Sequence, residues 1–498
     1  MLRLTWVQPE DLLGHELRQA RQDGREPQAI AARWKAAGGS PAPLRAGASP
    51  QPPSRYLRRL AEDLLDELAD LPGKFTDSEP TDLAKIKANC PAWPTPAAGH
   101  RAEGTMRVPP VERSREREGP GAGAGGAPSA PGSATRPRPA PTQARLEAAW
   151  LGRAAGCLLG KPVEKLPLTA IRHLAEATGN WPLNTYFTAR GVPDDLLEAH
   201  PWNRRSATTS LAENIDGMPE DDDLNYPLLN LLLLQRHGKN FTTTDVATLW
   251  LEELPAGRTF TAERIAYRNL LTGLEPPHTA RHRNPFREWI GALIRADVHG
   301  WTNPGDPAAA AEQAHRDATL THTANGVYAA MFTAATIATI ATADHPTDIH
   351  IALRTGLTVV PPASRLAQAI RHALQLARTH DNFDTVVDEL HATHGHTHHW
   401  VHAIPNTALI AAALSHANGD FTGSICRAVS GGWDTDSNGA TAGSIAALLA
   451  GSPSALPDRW TAPLKNRLAT TIGDFDGTGF DTLARLTHDL AHLEAPLP

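Results

Sequence analysis

The chain has 498 residues, with 47 Lys+Arg against 54 Asp+Glu and a formal net charge of -7. A mildly acidic chain without a sustained basic stripe is not built to neutralise phosphates along a duplex, so no duplex nucleic-acid binding is expected. Three scattered cysteines, Cys90, Cys157 and Cys426, can build neither a disulfide framework nor a four-cysteine zinc site, and they fit a reducing, cytoplasmic setting.

Residues 1–93 predict a small helical region. Pro9, Glu10 and Asp11 precede Leu12, Leu13 and Leu17 as an amphipathic helix start, a second short helix is expected near Ala29–Ala37, and Leu57, Leu60, Leu64, Leu65 and Leu68 fall at helical spacing. So thin an apolar stripe makes a marginal domain, and these helices are expected to dock on the main body or on a partner. Residues 94–141 are Pro/Gly-rich and poor in large apolar side chains, the composition of a disordered linker. The GPGAGAGG run at 119–126 has no strand before it and no helix after it, so it is not a dinucleotide fingerprint.

From 142 to 498 helical patterns follow one another, among them Arg145–Leu159, Asp223–His237, Pro285–Ala296, Pro307–His322, Thr323–Ala341, Arg365–Thr379, Phe383–His391, Thr407–Ala417 and Gly439–Leu449. Proline or acidic starts and glycine stops recur, and strand patterns are almost absent, so an all-α multi-helix bundle is expected. The most apolar stretches, Leu228–Leu234 and Ala329–Ala343, are shorter than the ~20 residues that span a bilayer, and no membrane association is expected.

Two acidic clusters lie more than 200 residues apart. In the first, Glu220, Asp221, Asp222 and Asp223 precede an apolar helix. Acids there cap free N–H groups and complement the helix dipole, but four in a row repel one another beyond what capping needs; cap and cation site both stay open. Pro227 has no N–H, so the Asp223 carbonyl is left free. In the second, Asp434 and Asp436 alternate with Thr435, Ser437 and Asn438 in a glycine-flexed loop, an oxygen-rich set suited to a hard divalent ion. It is not an EF-hand, because the twelfth position is Ile445 rather than Glu. The small residues Ala442, Gly443 and Ala446 then permit close helix approach. The histidines between His391 and His402 lack the i, i+4 pair plus acid of a zinc hydrolase and read as a polar surface loop. Trp181, Tyr186, Phe187 and the Arg204-Arg205 pair read as core aromatics and surface charge, with a pocket role as the sharper alternative.

The segments GRAAGCLLGKPVE (152–164), Asp221–Leu224, Thr321-His322 with Asn325, and GWDTDSNGA (432–440) together resemble the ADP-ribosylglycohydrolase family, which includes the dinitrogenase reductase-activating glycohydrolases. The resemblance implies an all-α fold with two Mg2+ ions (or Mn2+) in a cleft. Asp221, Asp222, Asp223, Asp434, Asp436 and Ser437 would be metal ligands, and Glu164 the catalytic acid/base. His322, Asn325, Gly432 and Trp433 would face the substrate, an ADP-ribosylated molecule or a nucleoside-like metabolite. Cys157, Asp221 and Leu224 depart from the family pattern. The implied activity is hydrolysis of a ribosyl glycosidic bond; the rival is a non-catalytic ADP-ribose-binding or structural module, which would have no need of these carboxylates together.

Overall fold

The computed structural model describes residues 3–41, 47–49, 51–95, 141–342 and 348–493. Its regular elements are helices, and the described residues carry only two isolated β-bridges, Met218 with Leu468 and Trp289 with His402. The expected linker lies almost wholly outside the described residues. No described helix is long and apolar enough to cross a membrane.

Two antiparallel helices, Gln143–Gly160 and Thr435–Ala450, run through the core and position the site. Their contact is set by glycines one turn apart. A Cβ on Gly152 would lie 2.4 Å from the Gly443 carbonyl oxygen, one on Gly156 1.9 Å from that of Gly439, and one on Gly160 2.2 Å from that of Thr435. With no side chains between them the two backbones touch. Thr435 Oγ1 also donates to the Gly160 carbonyl at 2.8 Å, locking the register where the first helix ends and the second begins. The close approach falls on Gly439, Gly443 and Ala447; of the three small residues expected to make it, Gly443 does.

The helix expected to begin at Gly439 starts at Thr435, so Asp436 sits in its first turn and only the approach to Asp434 is loop. The helix expected over Pro285–Ala296 is replaced by a 3-10 segment, Ile290–Arg295, and a short helix, Asp297–Trp301. Here the backbone is committed elsewhere: Ile290 N donates to the Val401 carbonyl (3.0 Å), and Ala403 N donates to that of Glu288 (3.0 Å).

The histidine-rich stretch is a surface turn only around Gly395–Thr397, where His396 is exposed. Helix Phe383–His394 includes its start, and His394, His399 and His402 are buried. His399 stacks on Trp289 with ring centroids 4.3 Å apart, and His402 Nδ1 accepts from Ile404 N (3.2 Å) to cap helix Ala403–His416. Burial drives the pKa of His394 down to about 4 and that of His398 to about 3, so these imidazoles are neutral at neutral pH.

His399 is covered by the N-terminal region. Helices Pro9–Gln22, Gln28–Ala36, Arg55–Asp70 and Leu83–Asn89 lie against the main body. Arg287 donates to Glu16 (2.7 Å) and to Asp23 (2.6 Å), while Arg365 donates to Glu79 (2.6 Å) and to Glu288 (3.0 Å). The ring of His15 sits edge-on to Phe286, Trp289 and His399.

Candidate active site

The two acidic segments meet. Helix Asp222–His237 starts beside the junction of the two glycine-packed helices, with Asp221 as its N-cap accepting from Asp223 N at 2.9 Å. The carbonyl freed by Pro227 is not left idle, since Arg153 Nε donates to it at 2.7 Å. Arg153 is fully buried, and its Nη1 donates to Asp297 (2.9 Å), so one guanidinium ties this helix start to the helix that carries Glu164 at its end.

Ligand-capable atoms fall into two groups, each with its members within 4.8 Å of one another. Glu164, Asp434 and Asp436 form the first and face a cavity of about 780 Å³. Asp221, Asp223 and the Cys157 thiol form the second, deeper group. In the first group, Asn203 Nδ2 donates to Glu164 Oε2 (2.7 Å) and Lys165 Nζ approaches Glu164 Oε1 (2.7 Å). The turn into Asp434 passes through Gly432 and Trp433, both at positive φ (76° and 60°), a conformation free for glycine and uncommon for tryptophan. Trp433 is held by stacking on His391, centroids 4.2 Å apart. Asn406 Oδ1 accepts from Asp434 N (3.2 Å) and from Asn438 Nδ2 (2.8 Å), so one amide oxygen fixes the turn.

The electrostatics follow from crowding. Burial and the facing carboxylates hold the carboxyls of Asp222 and Asp434 well above the usual range, and burial with Glu164 and Asp221 nearby pushes Asp436 up to about 7. Burial alone would raise Asp221 too, but the Lys161 ammonium outweighs it and holds that carboxyl low. Three carboxylates converging in a cavity, with the Ser437 hydroxyl in the same wall, are an oxygen donor set that fits a hard divalent cation.

The sequence profile of the ADP-ribosylglycohydrolase family matches residues 138–496. The chain belongs to the ADP-ribosylglycohydrolase family. Among solved structures it is similar to one titled "ADP-ribosylglycohydrolase-related protein complex", at 20% identity and a TM-score of 0.43, over 71% of this chain and 99% of that one. No curated protein matches it. The family is made up of metal-dependent glycosidic-bond hydrolases acting on ADP-ribosylated substrates.

Within this glycohydrolase, Glu164, Asp222, Asp434, Asp436 and Ser437 line the cavity together, as does Asp221. Asp223, expected as a ligand, is turned behind it, with Oδ2 accepting from the Cys157 thiol (3.7 Å) and Oδ1 lying 3.5 Å from the Arg153 guanidinium. His322, Asn325, Gly432 and Trp433, expected at the substrate, lie outside that cavity's lining. His322 is fully buried against Thr321 (2.6 Å), and Asn325 Nδ2 donates to Glu79 of the N-terminal region (2.7 Å). Trp433 instead lines a smaller neighbouring cavity of about 480 Å³ with His391 and Trp400. Tyr186 and Phe187 are core residues, whereas Arg205 reaches the main cavity. Sequence reasoning missed Asn203, Lys161, Phe260, Trp400 and Trp6. Nothing local marks Asn203 or Trp6, but Lys161 is a charge between Gly160 and Pro162 in an otherwise apolar helix end, and that was readable.

Proposed function

We propose that this glycohydrolase releases ADP-ribose from a modified protein, nucleobase or small molecule, using Mg2+ (or Mn2+) held by Asp434, Asp436, Asp222 and Ser437. The observation that carries this reading is the convergence of Glu164, Asp434 and Asp436 within 4.8 Å at a cavity large enough for a dinucleotide-sized ligand. A divalent ion held there would supply Lewis-acid stabilisation at the ribosyl group. The chain's own part is positioning and proton transfer. Asn203 fixes Glu164 through Oε2, leaving Oε1 to take the proton of the attacking water once Lys165, whose side chain is 41% exposed, swings aside. Cleavage passes through an oxocarbenium-like state, which facing carboxylates stabilise without a covalent nucleophile. Arg205 and Arg258 in the cavity wall suit a diphosphate, and Arg258 is steadied by Glu220 (3.1 Å). Phe260, Trp400 and Trp6 offer apolar faces to a base. The setting is the cytoplasm, where the three buried cysteines remain thiols.

The test is calorimetry of ADP-ribose with and without Mg2+, followed by turnover on arginine-, serine- and nucleic-acid-linked ADP-ribose. Mg2+-dependent binding and release from at least one linkage are expected. Binding indifferent to chelation, with no release from any linkage, would overturn the reading.

A further inference from the structure

We infer that the Lys161 ammonium is a built-in cation of the acidic centre, so that the full chain binds one divalent ion and not two. The inference rests on the metal-dependent reading above and concerns which of the two ligand groups can accept an ion.

In the deep group both oxygens of Asp221 are already committed, while Asp223 Oδ1 lacks a hydrogen-bond partner. Asp221 Oδ1 accepts the Asp223 N–H at 2.9 Å, and Asp221 Oδ2 is bonded to Lys161 Nζ. Asp223 Oδ2 accepts from the Cys157 thiol, and its Oδ1 faces Arg153, a guanidinium pinned by Asp297 and by the Asp223 carbonyl. The remaining donor is a thiol, a soft ligand that Mg2+ does not favour. A second divalent ion would therefore enter beside two buried positive charges, with no unspoken-for oxygen on Asp221.

Neither cation can easily leave. Lys161 is 7% exposed, and Arg153 has no exposed surface. Lys161 lines the cavity wall together with Asp221, so an ammonium displaced from that carboxylate would still face the site. The cleft group differs in kind: Lys165, the lysine in contact with Glu164, has an exposed side chain and can turn to solvent, freeing Glu164. Asp221 and Lys161 thus enter the centre as a neutral pair, while Glu164, Asp434 and Asp436 supply the converging oxygens an incoming ion needs.

The experiment counts ions on the full chain, using Mn2+ alone. Titration calorimetry and electron paramagnetic resonance should give one Mn2+ per chain, with the six-line spectrum of an isolated ion. Lys161→Met should raise the count to two and produce an exchange-coupled signal. Two ions on the unsubstituted chain would overturn the inference while leaving the metal-dependent reading intact. One ion on Lys161→Met, with its helical circular dichroism preserved, would overturn the role given to Lys161. No ion on either chain would instead refute the metal-dependent reading underneath. The wild-type count decides by itself if the variant does not fold.

Discussion

Gly156→Ala tests whether the active site depends on backbone contact between the two central helices. The added Cβ would sit 1.9 Å from the Gly439 carbonyl oxygen and 2.4 Å from its carbon, with backbone and not a mobile side chain as the obstacle. An ordinary C···O approach is about 3.3 Å, so the helices must part by about 1.4 Å. Overpacking of this sort costs about 1–3 kcal/mol, and rigid backbone on the opposing side places Gly156 at the upper end. For a chain of this length the melting temperature should fall by roughly 3–4 °C. The effect on ion binding should be larger, because metal sites tolerate only about 0.2 Å in ligand distance and Glu164 rides on one helix while Asp434 and Asp436 ride on the other. Thermal unfolding with and without Mn2+ reads both quantities: the variant should melt lower and lose the shift that the ion produces. Gly473→Ala is the control, since its Cβ meets nothing within 4 Å, and it should change stability by less than about 0.5 kcal/mol. Wild-type melting and Mn2+ affinity in Gly156→Ala would refute the claim that this contact sets the site.

Asp436→Asn should abolish Mn2+ binding and turnover with helicity intact. In the wild type, Mn2+ affinity should weaken as pH falls through about 7, because protons compete for that carboxylate; affinities measured at pH 6 and pH 8 check this. Glu288, pushed up to about 7 chiefly by burial despite Arg365 beside it, contributes stability that is fully present below its unfolded value and is lost as pH rises through about 7. Melting of Glu288→Gln across pH 4.5–7.5 should lack that component. Trp6→Ala should raise KM for an ADP-ribosyl substrate about three- to tenfold with kcat nearly kept, if the ring supports a base at roughly 0.5–1.5 kcal/mol. A chain beginning at Thr142 should melt far below the full chain or fail to fold, because removing one side of a buried ion pair costs about 3–5 kcal/mol.

The acidic clusters were legible because they exceed what local structure requires: a helix start needs one cap, and Asp221 supplies it. Pro227 pointed to an orphaned carbonyl, and a partner for it exists in Arg153. Glycine spacing over 152–160 and 439–443 was visible as sequence, but which faces meet depends on the antiparallel register. Local pattern failed where the N-terminal region intervenes. His399 looks polar and surface-bound until His15 and Trp289 cover it. Pro285–Ala296 has helical periodicity, yet its backbone bonds across to the Val401–Ala403 segment, a pairing no local window contains. Asn325 likewise reads as a substrate residue next to His322, but Glu79 claims its amide.

The N-terminal region is part of the site's construction, although it lies outside the family match. Glu16 and Asp23 neutralise the buried Arg287, and Glu79 neutralises the part-buried Arg365, both cations of the main body. Arg287 adjoins Glu288, Trp289 and Ile290, and Ile290, Gly291 and Ile294 form one wall of the cavity. The same region sets Trp6 edge-on to Phe286 and Trp289 and into that wall. The carboxylate end of the cavity is therefore built wholly from the family scaffold, while the opposite wall is braced and partly supplied by the chain's own extension. Under the proposed function, bond cleavage falls to the first and recognition of what is attached to the ribose to the second, so substitutions in the braced wall of this chain should change substrate choice more than the rate of cleavage.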